Sequence, residues 1–272
     1  MINIFAAEID LVSHCNLRCH HCSVSSPYMK HRIYDLSEFK HDICALSKVI
    51  HMDNHIKFIG GEPLLAQNIA EYAKVIRESG ISDRVAIITN GILLETADEE
   101  GLASFDFINI SIYDNLPEAV LAKVQRGIER LKTIVPEYKI DVLAPRHEFF
   151  MSEVDCRIDD QTVNRIWHEC WQKNGCNSIR DGYVYRCTTG NRKEQYLRTI
   201  GVDNDNSPNI NGCPIHEPNL ESRLKSYLES NEPLEMCHYC LGSSSKYIPH
   251  RQMTSDELKE HVPMVDISNY LK

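Results

Sequence analysis

The sequence lacks any long hydrophobic run. Nowhere in its 272 residues is there a stretch near the roughly 18 consecutive apolar residues that a membrane-spanning helix needs. Its start, MINIFAAEIDLVSH, carries acidic residues where a secretory signal would have a basic start and a long apolar core. It also lacks basic runs longer than two, and 39 acidic against 29 basic residues give a formal charge of -10. We therefore expect a cytoplasmic globular protein that binds neither membrane nor nucleic acid.

The composition is unusual in its eleven cysteines. An odd number excludes complete disulfide pairing, and a reducing cytosol would not maintain disulfides. Three cysteines lie within residues 15–22, three lie within 170–187, and Cys237 and Cys240 form a Cys-x2-Cys pair. Such groups in an intracellular protein typically bind a metal ion or an iron-sulfur cluster. Cys44, in the apolar stretch ICALSKVI, is instead expected to be a small buried side chain.

Short apolar runs alternate with helical patterns up to about residue 144. The predicted strands are about 3–12, 55–59, 84–89, 107–113 and 138–144, and the predicted helices are about 37–50, 67–79, 95–103 and 117–133. This alternation predicts an α/β fold with parallel strands, either a β/α barrel or an open doubly wound sheet. In both architectures the chemistry lies at the carboxyl ends of the strands.

Beyond residue 145 the pattern changes. It predicts a helix at about 160–173, a hairpin that turns at Asp181-Gly182, loops over 188–220 and a helix at about 218–230. We therefore expect three segments: an α/β domain at 1–150, a smaller domain at 151–250, and a tail with a short helix at 251–272.

The first predicted strand carries two acidic residues near its middle. Strict alternation places Phe5 and Ile9 on one face, and Glu8 and Asp10 on the other. Burying acids is costly unless they are paired, hydrated or bound to a ligand. They either face solvent on an edge strand or point into a barrel lumen that holds a polar substrate.

The first cysteine group, CNLRCHHC, directly follows this strand and has the spacing Cys-x3-Cys-x2-Cys. Cys15, Cys19 and Cys22 can hold three corners of a cubane cluster and leave the fourth iron open for chemistry. The alternative is a structural zinc knuckle with His20 or His21 as the fourth ligand.

This group resembles the cluster-binding motif of the radical S-adenosylmethionine (SAM) superfamily. Three more segments, each at or near the end of a successive predicted strand, are similar to the same superfamily: Gly60-Gly61-Glu62-Pro63, Thr89-Asn90-Gly91 and Ser111. The resemblance implies that GGEP receives the amino group of the methionine moiety, that Asn90 and Ser111 contact SAM, and that Ser111 does so at the ribose. His21 stands where the superfamily prefers an aromatic ring before the third cysteine, and its imidazole can stack on adenine. The implied fold is a partial (β/α)6-type barrel.

The resemblance also implies the chemistry. A 4Fe-4S cluster chelates SAM, and one-electron reduction by a flavodoxin- or ferredoxin-type partner yields a 5'-deoxyadenosyl radical, which abstracts hydrogen from the substrate. The cofactor carries the difficult step, and the protein orients the reactants and excludes water.

The second cysteine group surrounds the predicted hairpin. A two-residue turn at 181–182 makes cross-strand partners sum to 363, which sets Cys176 opposite Cys187 at a distance that suits two ligands of one cluster. Cys237 and Cys240 would supply the other two. Cys170 is the alternate to Cys176, because the spacing from Cys170 through Gly182 to Cys187 is similar to that of the Twitch domain, a shortened relative of the SPASM domain. That resemblance implies one auxiliary 4Fe-4S cluster. A zinc ribbon and a Cys176-Cys187 disulfide are the alternatives.

Size, the short auxiliary domain and Glu8 all resemble small superfamily members of the 2-deoxy-scyllo-inosamine dehydrogenase type. This implies an oxidoreductase that oxidises a hydroxyl carbon of a sugar-like or aminocyclitol-like small molecule. Glu8 and Asp10 would orient or deprotonate the substrate, and Arg146 or His147 would anchor it. The alternatives are an epimerase with Cys156 as hydrogen donor, a peptide-modifying maturase, and a structural protein that binds zinc.

Overall fold

The computed structural model describes residues 1–113, 115–150, 154–202, 211–260 and 266–272. Two compact units divide these residues. The first unit comprises 1–15 and 31–147, and the second comprises 16–30 and 148–272. This division differs from the expected segments 1–150, 151–250 and 251–272 in two ways, because 16–30 and the tail both group with the second unit. Among the helices of the described residues, none has both the length and the apolar character for a membrane crossing.

The first unit is a mixed α/β structure built on five parallel strands. Its strands are β1 (Ile2–Val12), β2 (Ile50–Gly60), β3 (Val85–Thr89), β4 (Phe107–Ile110) and β5 (Ile140–Val142), and its helices are α1 (Leu36–Leu46), α2 (Ile69–Ser79), α3 (Glu99–Ala103) and α4 (Glu118–Ile134). The strands pair in sequence order from β1 to β5. This parallel order from β1 to β5 confirms the predicted α/β fold and is consistent with a partial barrel.

Local signals account for these elements. Asp35 begins α1 by accepting the Ser37 and Glu38 amides at 2.9 and 3.1 Å, and α2 ends at Gly80 with φ +69°. The strands are rich in β-branched residues, as buried parallel strands are. Predicted and observed bounds differ most at the start of β2, which begins at Ile50 because that residue pairs with Ile2.

The alternation predicted for β1 is broken at Phe5. Ile4 pairs with Met52 and Ala6 with His55, so β2 contributes one more residue than β1 at this point. Phe5 is 72% exposed whereas Ile9 is fully buried, so the two residues do not share one face as strict alternation predicted. Beyond Phe5, the apolar side chains from Ala7 to Leu11 at alternate positions are buried as expected.

Cys44 is exposed, which corrects the expectation that it is buried. On α1 the inward positions belong to Phe39, Ile43 and Leu46, at the spacing of a helix with one apolar face. Position 44 follows Ile43 by one residue, about 100° around the helix, and so lies off that face.

The second unit is built on a hairpin and short helices. Its strands are β6 (Glu148–Phe150), β7 (Ser178–Arg180), β8 (Tyr183–Tyr185), β9 (Gly212–Pro214) and β10 (Tyr247–Pro249), and its helices are α5 (Asp160–Glu169), α6 (Gln172–Gly175), α7 (Lys193–Thr199) and α8 (Leu220–Glu229). The predicted turn is confirmed, since Asp181 and Gly182 have φ of 51° and 79°. β9 adds a third antiparallel strand beside β8, and β10 pairs with β6. The prediction that 188–220 is only loop is therefore wrong, because α7 and β9 lie within it.

Candidate functional site

The GGEP segment packs its backbone directly against the chain that leaves β1. The Gly61 amide donates to the Val12 carbonyl at 2.6 Å, and the Glu62 amide donates to the His14 carbonyl at 3.0 Å. A Cβ on Gly60 would lie 2.2 Å from the Val12 oxygen, and one on Gly61 would lie 1.9 Å from the His14 oxygen. Only glycine permits this approach. The two glycines thus fix the backbone that leads into Cys15.

The side chain of Glu62 is fully buried and joins the ends of two strands. One carboxylate oxygen accepts from the Leu64 amide at 3.0 Å and from the Thr89 hydroxyl at 2.7 Å, and the other accepts from the Asn90 amide at 2.9 Å. Burial raises the pKa of Glu62, and these hydrogen bonds oppose that shift. The carboxylate is therefore occupied in holding the loop after β2 to the loop after β3. Its predicted contact with SAM stays a prediction.

Asn90 connects this network to the first cysteine. Its side-chain oxygen accepts from the Ile92 amide at 3.0 Å, and its side-chain nitrogen donates to Cys15 Sγ at 3.6 Å. The sequence pattern indicated Asn90 as a SAM contact, but it did not predict this bond to sulfur. Hydrogen bonds to ligating sulfur atoms are among the factors that set cluster potentials.

The remaining predicted residues of the first unit lie toward the same carboxyl edge of the strands. Ser111 is buried, and its amide donates to the Thr89 carbonyl at 2.8 Å. The Arg146 amide donates to the Ile112 carbonyl at 2.8 Å, so the segment after β5 lies beside the end of β4, and His147 follows it in an exposed position.

The two acids of β1 differ in environment. Asp10 is only 2% exposed and lies in register with Ile59, whereas Glu8 is half-buried and lies in register with Lys57. The alternative that both acids face solvent is therefore wrong for Asp10. Burial of an ionised carboxylate is costly unless it is paired, hydrogen-bonded or bound to a ligand.

The other two cysteines of the motif belong to the second unit. Cys19 is 7% exposed and Cys22 is half-buried. His21 between them has φ 53°, and its ring lies edge-on to that of His20 with centroids 3.8 Å apart. Burial, with His20 and nearby cations, lowers the pKa of His21 to about 3, so its imidazole is neutral at physiological pH.

A second group of cysteines surrounds a small buried cavity in the second unit. Cys170, Cys187, Cys237 and Cys240 all line this cavity of about 40 Å³. The Gly190 amide donates to Cys187 Sγ at 3.3 Å, and the Gly242 amide donates to Cys240 Sγ at the same distance. We call these residues the four-thiol pocket, after its four cysteines.

In the four-thiol pocket, burial and the neighbouring thiols both disfavour the charged thiolate form of cysteine. Burial first, and then the neighbouring cysteines, raise the pKa of Cys187 and bring that of Cys237 to about 12. Four thiolates could not coexist there unless a cation compensated them, and thiolate ligands must lose their protons when metal binds. The residues therefore fit a centre with four cysteine ligands, either an iron-sulfur cluster or zinc.

Cys170, the alternate ligand predicted from the sequence, is the fourth cysteine that lines this pocket, which favours it over Cys176. The predicted register is confirmed, because Ser178 pairs with Tyr185. The pairing does not continue to residue 176, however, because the short helix α6 intervenes and Cys176 closes its last turn with a bond from its amide to the Gln172 carbonyl at 3.0 Å. Cys176 is not among the residues that line the cavity.

Gly242 explains how Cys170 reaches the others. Its φ is +52°, and a Cβ on it would lie 2.9 Å from Cys170 Sγ. Glycine here both adopts the left-handed conformation and leaves room for the sulfur. In the sequence, the only signal for this role of Gly242 is its position two residues after Cys240.

Cys156, the predicted hydrogen donor of an epimerase, is half-buried in the second unit. Burial and then the adjacent Asp155 raise its pKa, so its sulfur keeps the proton at neutral pH. It does not line the four-thiol pocket.

Comparison with known families finds a similarity in the first half of the chain. Residues 9–135 match the model of the Radical SAM superfamily. The matched stretch begins within β1 and ends just after α4, and it holds the CNLRCHHC, GGEP and Asn90 segments. The superfamily implies SAM and one 4Fe-4S cluster as cofactors, and the three motif cysteines with the GGEP backbone supply a donor set that suits them.

Individual relatives align with only part of this chain. The GTP 3',8-cyclase of Heliobacterium modesticaldum is 36% identical over 138 residues, which are 47% of this chain and 41% of that protein. The GTP 3',8-cyclase of a Sulfurovum species is 29% identical over 179 residues, 61% of this chain and 51% of that protein. The chain therefore spans about half the length of the curated relatives it matches.

Solved structures give remoter similarities. The complex of BtrN with AdoMet and 2-DOIA is 16% identical, with a TM-score of 0.49 and coverage of 89% of this chain and 94% of that one. The native anSMEcpe with bound AdoMet and Cp18Cys peptide is 19% identical, with a TM-score of 0.40 and coverage of 53% and 43%.

Proposed function

We propose that this Radical SAM protein is an oxidoreductase that oxidises a hydroxyl carbon of a small polar substrate, such as a sugar or an aminocyclitol. In this proposal it carries an auxiliary 4Fe-4S cluster beside the SAM-chelating one. The Radical SAM domain supports the radical chemistry. The four-thiol pocket is the observation that carries the oxidative part of the proposal.

The number of protein ligands favours electron transfer at the auxiliary centre. Four cysteines around one cavity occupy all four corners of a cubane and leave no iron for a substrate. When bound, SAM and its cluster would supply a 5'-deoxyadenosyl radical that takes one hydrogen atom from the substrate. The auxiliary cluster would accept one electron. The oxidation is then balanced if a protein base takes the hydroxyl proton.

The residues of the first unit would orient the reactants. Glu62 fixes the two loops that carry the GGEP backbone and Asn90, and thereby places the groups that would hold SAM. Glu8 or Asp10 would accept the hydroxyl proton, since both stand on β1 upstream of the cluster loop and Asp10 is buried. Arg146 or His147 would anchor the substrate from the segment after β5. A flavodoxin- or ferredoxin-type protein would supply the reducing electron.

A second candidate is the cyclisation of a nucleotide. The names of the partial relatives, GTP 3',8-cyclase in Heliobacterium modesticaldum and Sulfurovum, favour it. The shared stretch covers about half of those proteins, and both reactions would need radical SAM chemistry. The candidates therefore differ in the substrate that donates hydrogen to the radical.

Isotope transfer separates the two candidates. The protein is reconstituted with iron and sulfide under anoxic conditions and given SAM, dithionite and either carbon-deuterated polyols and aminocyclitols or ribose-deuterated GTP. The proposal predicts that deuterium enters 5'-deoxyadenosine from a polyol or aminocyclitol, which leaves as a ketone. Transfer from GTP alone would establish the cyclase, and transfer from neither group would overturn both.

A further inference from the structure

The loop that carries the second and third motif cysteines is bound by a distant part of the chain. Residues 250–257, which we call the strap, run antiparallel to residues 18–20. The His20 amide donates to the Arg251 carbonyl at 2.9 Å, and the Met253 amide donates to the Arg18 carbonyl at 2.7 Å. Both segments belong to the second unit. The strap and the loop thus form a short antiparallel pairing of two segments.

Gln252 uses both ends of its side-chain amide in this pairing. Its oxygen accepts from the Arg18 backbone amide at 2.7 Å, and its nitrogen donates to Cys19 Sγ at 3.3 Å. The orientation follows from chemistry, because the Arg18 N–H is only a donor and must face the oxygen. The nitrogen is then left to face the sulfur, and Cys19 is 7% exposed at this point.

Further contacts hold the strap in its conformation. Arg18 also donates from its guanidinium to the Ser255 hydroxyl at 2.9 Å. Within the strap, the Glu257 carboxylate pairs with Arg251 at 2.7 Å and accepts from the Thr254 amide at 2.8 Å. Gln252 is therefore presented to Cys19 by an ordered segment.

We propose that Gln252 is a positioning residue for Cys19 that raises the reduction potential of the SAM-chelating cluster. The inference rests on the proposed function, since it takes Cys19 as a cluster ligand. A hydrogen bond to a ligating sulfur stabilises the more negative, reduced state of a cluster, and outer residues of this kind orient the ligand they contact. The uptake of one electron from an external reductant is the only redox step involved.

Two substitutions of Gln252 distinguish its two proposed roles, which are to hold the loop at Arg18 and to raise the reduction potential of the cluster. Gln252→Leu removes the hydrogen bonds to Arg18 and Cys19, and also a contact of the Gln252 nitrogen with His250 Nε2 at 3.3 Å, with little change in size. Gln252→Glu keeps an acceptor for the Arg18 amide but places an anionic oxygen beside Cys19 Sγ. Gln161→Leu is the matched control, because Gln161 is exposed in the first turn of α5.

The first readout uses the apoprotein. Amide hydrogen exchange is measured for Arg18 and His20 in all three full-length variants. Loss of the Gln252 acceptor should speed exchange at Arg18 by about three- to tenfold in Gln252→Leu, because a net hydrogen bond is worth about that factor. Gln252→Glu and Gln161→Leu should match the wild type.

The second readout is the midpoint potential of the reconstituted protein, followed by the electron paramagnetic resonance signal that changes when SAM is added. The equilibrium constant for reduction should fall about tenfold in Gln252→Leu, which is about 59 mV for one electron. It should fall further in Gln252→Glu and stay unchanged in Gln161→Leu.

The exchange measurement and the potential measurement each test a different role of Gln252. An Arg18 exchange rate in Gln252→Leu equal to that of the wild type overturns the positioning role. Faster exchange with an unchanged potential overturns the tuning role. If no variant, including the wild type, acquires a SAM-responsive cluster, the proposed function fails, while the exchange data still decide whether Gln252 holds the loop.

Discussion

The substitution Gly242→Ala tests the arrangement of the four-thiol pocket. Gly242 has φ +52°, and a non-glycine residue in this left-handed region costs roughly 1–2 kcal/mol. The new Cβ would also lie 2.9 Å from Cys170 Sγ, which is closer than real Cβ atoms approach other heavy atoms. The substitution should therefore both strain the backbone and push the Cys170 sulfur away from its partners.

Gly182→Ala is a matched control for the strain alone. Gly182 has φ +79°, and a Cβ there would meet no heavy atom within 4 Å. Both variants should lose roughly 1–2 kcal/mol, which lowers a thermal midpoint by about 2–8 °C for a chain of this size. Thermal unfolding of the two apoproteins, followed by circular dichroism, measures this shared cost.

Iron content then isolates the effect on the pocket. After anoxic reconstitution, Gly182→Ala should hold about eight iron atoms per chain, as two cubanes require, and Gly242→Ala about four. Equal iron in the two variants would refute the reasoning, because it would mean that Cys170 need not stand where the structure places it. A much larger loss of stability in Gly182→Ala would refute the strain argument.

Three other predictions follow from the first unit. Because burial raises the pKa of Glu62, the stability that its carboxyl contributes is fully present below its unfolded pKa near 4.3 and is lost as pH rises through the folded value. The unfolding free energy of the wild type minus that of Glu62→Gln, from urea titrations, should therefore decrease from pH 4 upward, and a constant difference would contradict this. Asn90→Leu removes the donor to Cys15 Sγ and should lower the potential of the SAM-responsive cluster by up to about 59 mV, whereas an unchanged potential would remove Asn90 from the cluster's surroundings. Glu8→Gln should reduce ketone formation by about 10²- to 10⁴-fold if Glu8 is the base, while SAM cleavage continues, and Asp10→Asn would show that loss instead if Asp10 is the base.

The repeating part of the fold was predictable because its signals are local. Strand and helix periodicity located five parallel strands and four helices, and Asp181-Gly182 predicted the hairpin with its register. The first-cluster cysteines needed no tertiary information, since Cys15, Cys19 and Cys22 lie within eight residues.

The errors arose where a short irregular element or a distant contact decides the geometry. The four residues of α6 remove Cys176 from the extended ladder, so a register argument could not choose between it and Cys170. The irregular pairing beside Phe5 interrupts the alternation of β1 at that residue, and no local pattern predicts it. Gln252 contacts Cys19 across 233 positions of sequence, and no local pattern marks that pairing.

We propose that this chain binds two 4Fe-4S clusters, one at the three motif cysteines and one in the four-thiol pocket. The most direct measurement is iron, acid-labile sulfide and zinc per chain in the wild type, Cys170→Ala and Cys176→Ala after anoxic reconstitution. The account predicts about eight iron and eight sulfide in the wild type and in Cys176→Ala, and about four of each in Cys170→Ala. Zinc without sulfide in the wild type, or a loss of iron in Cys176→Ala and not in Cys170→Ala, would contradict it.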